Sequence, residues 1–285
     1  MTSIILAAAL IFTPADAKVA HNSALELVEN YTPRDSGTLG SRRAANFILD
    51  KVSSLGADAK LDCFKANTPR GRRVFVNVES SFISNQTNEW IVLVSHYDTK
   101  LGVDCPGAND GASTTGLLIS LAGKIYQNRP EKTNILLLWT DGEECMDNYD
   151  ENDGLWGSKH AAKKLKDSGV KVRAVVCFDM LGDKDLKITI PENSHYGLKK
   201  GLLKIAKRKS VGDKIVACND IIIDDHVPFL EAGFKSINLI DFEYGSKPGL
   251  NDYWHTKDDT GDKISEKSLL FAGEIATWLI NGLDR

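Results

Sequence analysis

The chain has 285 residues, of which 42% are hydrophobic and 26% are charged, and its formal net charge is −4. This balance is ordinary for globular proteins and excludes disordered and fibrous classes. The mild negative charge provides no electrostatic basis for binding nucleic acid. A chain of this length can bury a large core, and it suits one α/β domain better than two small domains.

Residues 1–17 have the pattern of a secretory signal peptide. An apolar run from Ile4 to Phe12 is followed by Ala15-Asp-Ala17, a small-x-small cleavage pattern. We therefore predict cleavage after Ala17, one main domain over residues 18–285, and a secreted or periplasmic location. The alternative is a buried N-terminal helix. The run is too short to span a bilayer, so no membrane anchor is predicted.

Hydrophobic periodicity predicts helices and strands that alternate along the rest of the chain. In chain order these are helices 23–31 and 44–55, strands 73–78 and 89–95, helix 115–126, strand 134–140, helix 158–166, strands 172–179 and 187–190, helix 196–206, a segment around 215–223, strand 236–240 and helix 266–280. Such alternation indicates a single α/β domain with a mixed, mostly parallel central sheet and helices on both faces.

Polar side chains directly follow four nearly all-apolar strands of this set. His96 and Asp98 follow the first strand, Asp141-Gly-Glu-Glu144 the second, Asp179 the third and Asp241 the fourth. In open α/β sheets, ligands bind beyond the carboxyl ends of the strands. We therefore predict a functional site at this edge of the sheet.

Three carboxylates in this region suit a bound cation. Asp110 lies among small residues just before an apolar helix, where its alternative role is that of a helix N-cap. Glu143 and Glu144 are adjacent, and neighbouring carboxylates repel each other unless one binds a cation or holds a proton. The alternative for this pair is a solvated acidic turn. We predict that one glutamate is a metal ligand and that the other moves protons.

Two histidines and a further aspartate extend the candidate ligand set. Each residue taken singly also has a role other than metal binding. His96 could be a structural histidine, Asp179 the cap of a turn, and His255 a surface residue. Together with Asp110 and Glu144 they supply nitrogen and oxygen ligands suited to zinc in one or two sites. Manganese and cobalt are not excluded by these ligand types.

Other familiar catalytic motifs are missing from the sequence. There is no GxSxG elbow, no HExxH helix motif, and no P-loop or GxGxxG fingerprint. The 5 cysteines form no CxxC pair and suggest neither a thiolate zinc site nor a disulfide scaffold. Cys105 and Cys145 each lie near a predicted metal ligand, and an oxidised pair there is left open.

An ordered set of motifs resembles that of the glutaminyl-peptide cyclotransferases, which belong to the superfamily of the zinc aminopeptidases. The motifs are Ser95-His-Tyr-Asp-Thr-Lys100, Gly107-Ala-Asn-Asp110, Asp141-Gly-Glu-Glu144, Leu155-Trp-Gly-Ser-Lys-His160, Phe178-Asp-Met-Leu-Gly182, Asp224-Asp-His-Val-Pro-Phe-Leu230 and Trp254-His-Thr256. The resemblance extends from about Tyr31 to the C-terminus. It implies that residues 18–285 are a catalytic domain with a zinc aminopeptidase-like fold.

The resemblance also implies roles for individual residues. One zinc ion would be held by Asp110, Glu144 and His255, and Glu143 would be the catalytic acid and base. Asp179 and Asp224 would hold the substrate amine and the proton network. The aromatic residues Tyr149, Phe242 and Trp254 would bind substrate.

The sequence departs from the animal members of that family at three positions. Tyr149 occupies the position of a tryptophan and Ile223 that of a glutamine. Ser95 replaces a cysteine, so the disulfide of those members is missing. We therefore expect an altered pocket.

Two activities fit these residues. A cyclotransferase with one Zn²⁺ would convert the N-terminal glutamine of a peptide or protein to pyroglutamate and release ammonia. A di-zinc aminopeptidase would hydrolyse N-terminal residues from peptides, with Asp110 bridging two ions and with His96 and Asp179 as ligands of the second. Trp254 and the Leu-Trp-Gly-Ser-Lys-His motif favour the cyclotransferase. In either case we predict a monomer that acts on peptide or protein N-termini.

Overall fold

A mixed eight-stranded sheet forms the centre of the computed structural model, which describes residues 9–84 and 86–284. The strands are β1 (Lys60–Thr68), β2 (Gly71–Phe82), β3 (Glu89–His96), β4 (Asn134–Thr140), β5 (Lys171–Asp179), β6 (Ile188–Ile190), β7 (Ile215–Ala217) and β8 (Ser236–Ile240). Their order is β1-β2-β4-β3-β5-β8-β6-β7. The central strands β4, β3, β5 and β8 are parallel, whereas the pairs β1–β2, β2–β4 and β8–β6 are antiparallel. The predicted mixed, mostly parallel sheet is confirmed.

Helices cover both faces of this sheet, as predicted. They are α1 (Pro14–Tyr31), α2 (Leu39–Ser54), α3 (Thr114–Gln127), α4 (Trp156–Ser168), α5 (Tyr196–Arg208), α6 (His226–Glu231) and α7 (Glu266–Leu283). Side chains alternate across each strand. Ile91 and Leu93 of β3 therefore pack in the core under α1, α2, α3 and α7, whereas Val92 and Val94 pack against α4 and α6.

The strand β1 and the helix α6 were not predicted, and each lacks a strong apolar signal. β1 is an edge strand in which no side chain is fully buried, so its sequence contains no apolar run. α6 has only 6 residues, too few to develop helical periodicity. The predicted segment around 215–223 is a strand only at Ile215–Ala217, and residues 221–223 form a loop.

The N-terminal segment packs against the rest of the domain from residue 10 onwards. Leu10 and Phe12 are buried in the main core, and Leu10 exchanges two hydrogen bonds with the side chain of Asn281 in α7. Residues 1–8 of the predicted signal peptide lie outside the described residues. Cleavage after Ala17 would cut within α1 and remove the packed residues that precede it. In the part of the chain that the structure describes, no helix is long and apolar enough to cross a membrane.

Candidate active site

The ends of the parallel strands bring candidate residues to one edge of the sheet. His96, the last residue of β3, pairs in register with Thr140, the last residue of β4. Asp179 ends β5 opposite Ile240, which ends β8. Because these strands are buried on both faces, the backbone at their ends is held firmly, and the residues that follow meet at this edge.

Asp110 lies at a kink in the segment Ala108–Ser113, which leads into α3, and its own backbone angles are not helical. The next residue, Gly111, has a φ of 85°, and a Cβ there would lie 3.0 Å from Cε1 of His96, so glycine permits both the conformation and the close approach. The Asp110 carboxylate oxygens lie 3.1 Å from Nε2 of His96 and 3.3 Å from Nε2 of His255. Asp110 therefore faces two histidines and does not cap the helix.

Two clusters of ligand atoms share Asp110. The first comprises Asp110, Glu144 and His255, the second comprises His96, Asp110 and Asp179, and within each cluster the ligand atoms lie within 4.8 Å of one another. Nε2 of His255 lies 2.7 Å from a carboxylate oxygen of Glu144. Catalytic zinc sites take three such nitrogen and oxygen ligands and leave a position open. The residues of the first cluster therefore fit one zinc ion, and the second cluster has donors for another.

The clustered charges shift one another's pKa values. Burial raises the pKa of Glu144 to about 7, and the neighbouring Asp110 carboxylate adds to this effect. Burial also acts to raise the pKa of Asp110, but hydrogen bonds from His255 and His96 outweigh burial and hold it below its usual range. Burial lowers the pKa of His255, yet Asp110 and Glu144 raise it to about 10. A divalent cation bound here would compensate the negative charge of the Asp110 and Glu144 carboxylates and displace the proton from His255.

Glu143 lies beside the candidate ligand Glu144 and is buried with it. Burial raises the pKa of Glu143 well above that of a free glutamate; His96 opposes this shift, and Glu144 adds to it. The hydroxyl of Tyr149 lies 3.1 and 3.0 Å from the two carboxylate oxygens of Glu143 and can donate to either. A carboxyl group with a raised pKa is suited to accept and return protons near neutral pH.

Asp98 holds the backbone that carries both glutamates, a role that sequence analysis missed. Its two carboxylate oxygens accept hydrogen bonds from the N–H groups of Glu143 and Glu144, both at 3.2 Å. The hydroxyl of Ser36 donates to the same carboxylate at 2.5 Å. The available signal was its place in the polar motif that follows β3.

Asp259 holds the backbone of the other carboxylate ligand, Asp110, and this role was also missed by sequence analysis. It accepts hydrogen bonds from the N–H groups of Asn109 and Asp110, at 2.7 and 3.1 Å, and from the hydroxyl of Tyr244 at 2.6 Å. Its position four residues after His255 was the only hint in the sequence.

Arg34 is a buried cation that binds the loop leading to Asp110. Nε donates to the carbonyl oxygen of Tyr97 at 2.6 Å, Nη1 to that of Pro106 at 2.7 Å, and Nη2 to those of Gly107 and Asp110 at 2.6 and 3.3 Å. One guanidinium group thus joins the end of β3 to the ligand loop. Lysine cannot reproduce this fork of donors.

We expect Arg34→Met to lower the free energy of unfolding by about 3 kcal/mol or more, because several buried carbonyl groups lose their partner. Zinc affinity should fall about 10- to 100-fold, as when residues that orient metal ligands are removed. Urea unfolding and competition with a chelator measure the two effects. Arg70→Met, which removes an exposed arginine paired with Asp147, is the matched control. Unchanged zinc affinity in Arg34→Met would contradict the positioning role.

The candidate substrate residues line a cavity of about 270 Å³ above the ligands. The ring of Trp254 stacks on that of His255 with centroids 3.9 Å apart, and Phe242 meets Trp254 edge-on at 5.1 Å. Tyr149, Asp179 and Asp224 also line this cavity, together with Asp110, Glu143 and Glu144. Of the residues predicted as catalytic, substrate-binding or metal-ligating, His96 lies outside the cavity lining; it is 2% exposed. Asp98, Asp141 and Asp241, which also follow the ends of strands, do not line the cavity.

Asp224 is held in the wall of the cavity by β8. The side-chain amide of Asn238 donates to its carboxylate at 2.5 Å. Burial raises the pKa of Asp224 well above its ordinary value, and the carboxylates of Asp179 and Asp225 raise it further. Ile221 to Ile223 precede it and line the cavity with apolar side chains.

The cysteines are all free thiols, so the oxidised pair left open for Cys105 and Cys145 is not formed. Cys145 instead contacts Lys100, whose Nζ lies 2.7 Å from its Sγ. The loops that contain Cys105 and Cys145 are therefore held without a disulfide bond.

Comparison with known proteins relates this chain to one enzyme family. The model of peptidase family M28 matches residues 77–279, which include the whole candidate site. A glutaminyl-peptide cyclotransferase of Drosophila melanogaster is 27% identical over 261 residues, covering 81% of this chain and 72% of that protein.

Two solved structures of glutaminyl cyclases have the same fold. That of an Acidobacteriales bacterium is 31% identical, with a TM-score of 0.86 over 99% of this chain and 98% of the other. That of Porphyromonas gingivalis is 25% identical, with a TM-score of 0.83 over 95% of this chain and 98% of the other. These relatives confirm the predicted fold and family, and they give the aminopeptidase alternative less support. The chain belongs to peptidase family M28 and, within it, to the glutaminyl-peptide cyclotransferases.

Proposed function

We propose that this chain is a zinc-dependent glutaminyl-peptide cyclotransferase, which converts an N-terminal glutamine of a peptide or protein to pyroglutamate and releases ammonia. The observation that carries the proposal is the placement of Glu143 in one cavity with the complete Asp110, Glu144 and His255 cluster. The similarity to the Acidobacteriales glutaminyl cyclase over nearly the whole chain supports the choice of substrate.

The metal ligands would be Asp110, Glu144 and His255. A zinc ion held there would supply a Lewis acid for the γ-amide carbonyl group of the substrate glutamine. The side chains around this position do the remaining work of orientation and proton transfer.

Glu143 would carry the proton of the reaction. The α-amino nitrogen attacks the γ-carbonyl carbon, so that the ring N–C bond forms and the bond to the amide nitrogen breaks. Glu143 accepts the proton that the amino nitrogen loses and returns it to the departing nitrogen, which leaves as ammonia. The raised pKa of Glu143, caused first by burial, suits it to hold this proton between the two steps.

Asp179 and Asp224 would hold the substrate amine in line with the carbonyl group. Both carboxyl groups line the cavity, where their oxygens can accept hydrogen bonds from the amino group. Because both reacting groups belong to the same glutamine, orientation alone supplies much of the acceleration. Phe242 and Trp254, whose rings contact each other, would pack against the substrate side chain and exclude water from it.

One observation favours a second activity, that of a di-zinc aminopeptidase. A second set of candidate metal ligands lies close together. It comprises His96, Asp110 and Asp179, so the chain has side chains that could bind another ion. Ligand type alone does not separate the two activities.

Substrate choice and metal count, measured together, test the proposal. Purified protein is offered Gln-peptides and Leu-anilides side by side, and its zinc content is determined by emission spectroscopy. We expect cyclisation of the Gln-peptides, one zinc per chain and negligible release of the anilide product. Two zinc ions per chain with cleavage of Leu-anilide and no cyclisation would establish the aminopeptidase instead.

Export and a monomeric state are also part of the proposal. Export is supported by the apolar start and the Ala15-Asp-Ala17 pattern, and N-terminal sequencing of protein from the native host should then begin near Lys18. Retention of Met1 on the bulk of the protein would overturn it, and would agree with the packing of Leu10 and Phe12 in the core.

A further inference from the structure

A second cavity, of about 280 Å³, adjoins the catalytic one. Tyr149 and Ile223 line both cavities and form the wall between them. A peptide whose N-terminal glutamine occupies the catalytic cavity must continue past its mouth. The second cavity is therefore open to a side chain that follows the glutamine.

The lining of this second cavity combines an apolar floor with an acidic rim. Leu155, Val227 and Pro228 supply aliphatic surface, and the rim carries the carboxylates of Asp150, Glu151 and Glu231. A long side chain with a methylene stem and a charged end matches such a surface, because the stem covers apolar groups while the end stays in contact with water.

Lys159 is the cation of the cavity lining, and its donors are already engaged. Nζ donates to the main-chain carbonyl oxygens of Asp150, Glu151 and Gly154, at 3.2, 3.0 and 3.0 Å. The carboxylates of Glu151 and Glu231 are exposed and, in the part of the chain that the structure describes, hold no hydrogen bond, although both attract the charge of Lys159. The lining holds three acidic side chains against one basic side chain, so it favours an incoming cation.

We propose that this cavity binds an arginine or lysine side chain at one of the first two positions after the N-terminal glutamine of the substrate. The inference rests on the proposed cyclotransferase function and adds to it a preference for basic peptides. Glu231 and Glu151 act as specificity-determining residues, and acidic side chains at the same substrate position are disfavoured.

Five amidated tetrapeptides test this preference. They are Gln-Ala-Ala-Ala, Gln-Arg-Ala-Ala, Gln-Ala-Arg-Ala and the two peptides with glutamate in place of arginine. At low salt we expect arginine at one position to raise kcat/KM about 3- to 10-fold over alanine, and glutamate there to lower it by a similar factor. The preference should shrink as ionic strength rises, because these charges are partly exposed.

Glu231→Gln and Glu151→Gln should each reduce the arginine preference at that position, whereas Glu29→Gln, an exposed change of the same kind on α1, should keep it. Equal kcat/KM for arginine, alanine and glutamate at both positions, with all five peptides cyclised, would overturn this inference alone. A preference that survives in both variants would overturn it as well. Failure to cyclise any peptide would overturn the proposed function and this inference together.

Discussion

We expect Glu143→Gln to lower kcat for Gln-peptides by about 10²–10⁴-fold, the usual contribution of general acid–base catalysis. Glutamine keeps the size and shape of the side chain but cannot carry the proton from the amine to the departing ammonia. The hydroxyl of Tyr149 lies 3.0 Å from one carboxylate oxygen of Glu143 and would still find an amide oxygen to donate to, so the pocket should persist. Ammonia release under saturating peptide measures the change.

Zinc content separates this loss of chemistry from loss of the metal. Glu144 is unchanged in the variant, which should therefore keep the zinc-to-protein ratio of the wild type. Glu29→Gln serves as the matched control, because Glu29 is exposed on α1. Zinc-loaded Glu143→Gln with turnover within about threefold of the wild type would rule out the acid–base role.

The second large effect is expected for His255→Ala, which should remove zinc and activity together. The ligand cluster would fall from three protein groups to two carboxylates, too few to hold catalytic zinc firmly. Zinc measured after dialysis against a weak chelator and activity with Gln-peptides should decline in parallel. Circular dichroism should show an intact fold, because a chain of this length does not need a metal to hold its core.

His21→Ala is the matched control for that experiment, since His21 lies on α1 and belongs to neither cluster of ligand atoms. It should keep both zinc and turnover. Stoichiometric zinc in His255→Ala would mean that Asp110, Glu144 and His255 are not the ligand set. Chelation of the wild type should likewise abolish activity and leave most of the helix signal.

The parallel core and the position of the site could be predicted because burial on both faces leaves a simple pattern in the sequence. A central strand such as β4 is buried along its whole length, so it appears as an apolar run that ends abruptly in polar residues. The side chains that follow such runs, among them Asp141-Gly-Glu-Glu144, then lie at one edge by topology alone. β1 was not predicted, for the opposite reason. It is an edge strand in which no side chain is fully buried, so its sequence contains no apolar run.

The sequence by itself determined the family and the candidate ligands, because the ordered motifs carry both. Only the tertiary structure revealed the groups that hold those ligands in place. Arg34 binds carbonyl groups 63 to 76 residues further along the chain, and Asp259 binds N–H groups about 150 residues before it. Contacts with main-chain groups leave no periodicity and no partner residue type, so such a residue looks like any polar residue in a loop. Its function is decided by which backbone the fold brings beside it.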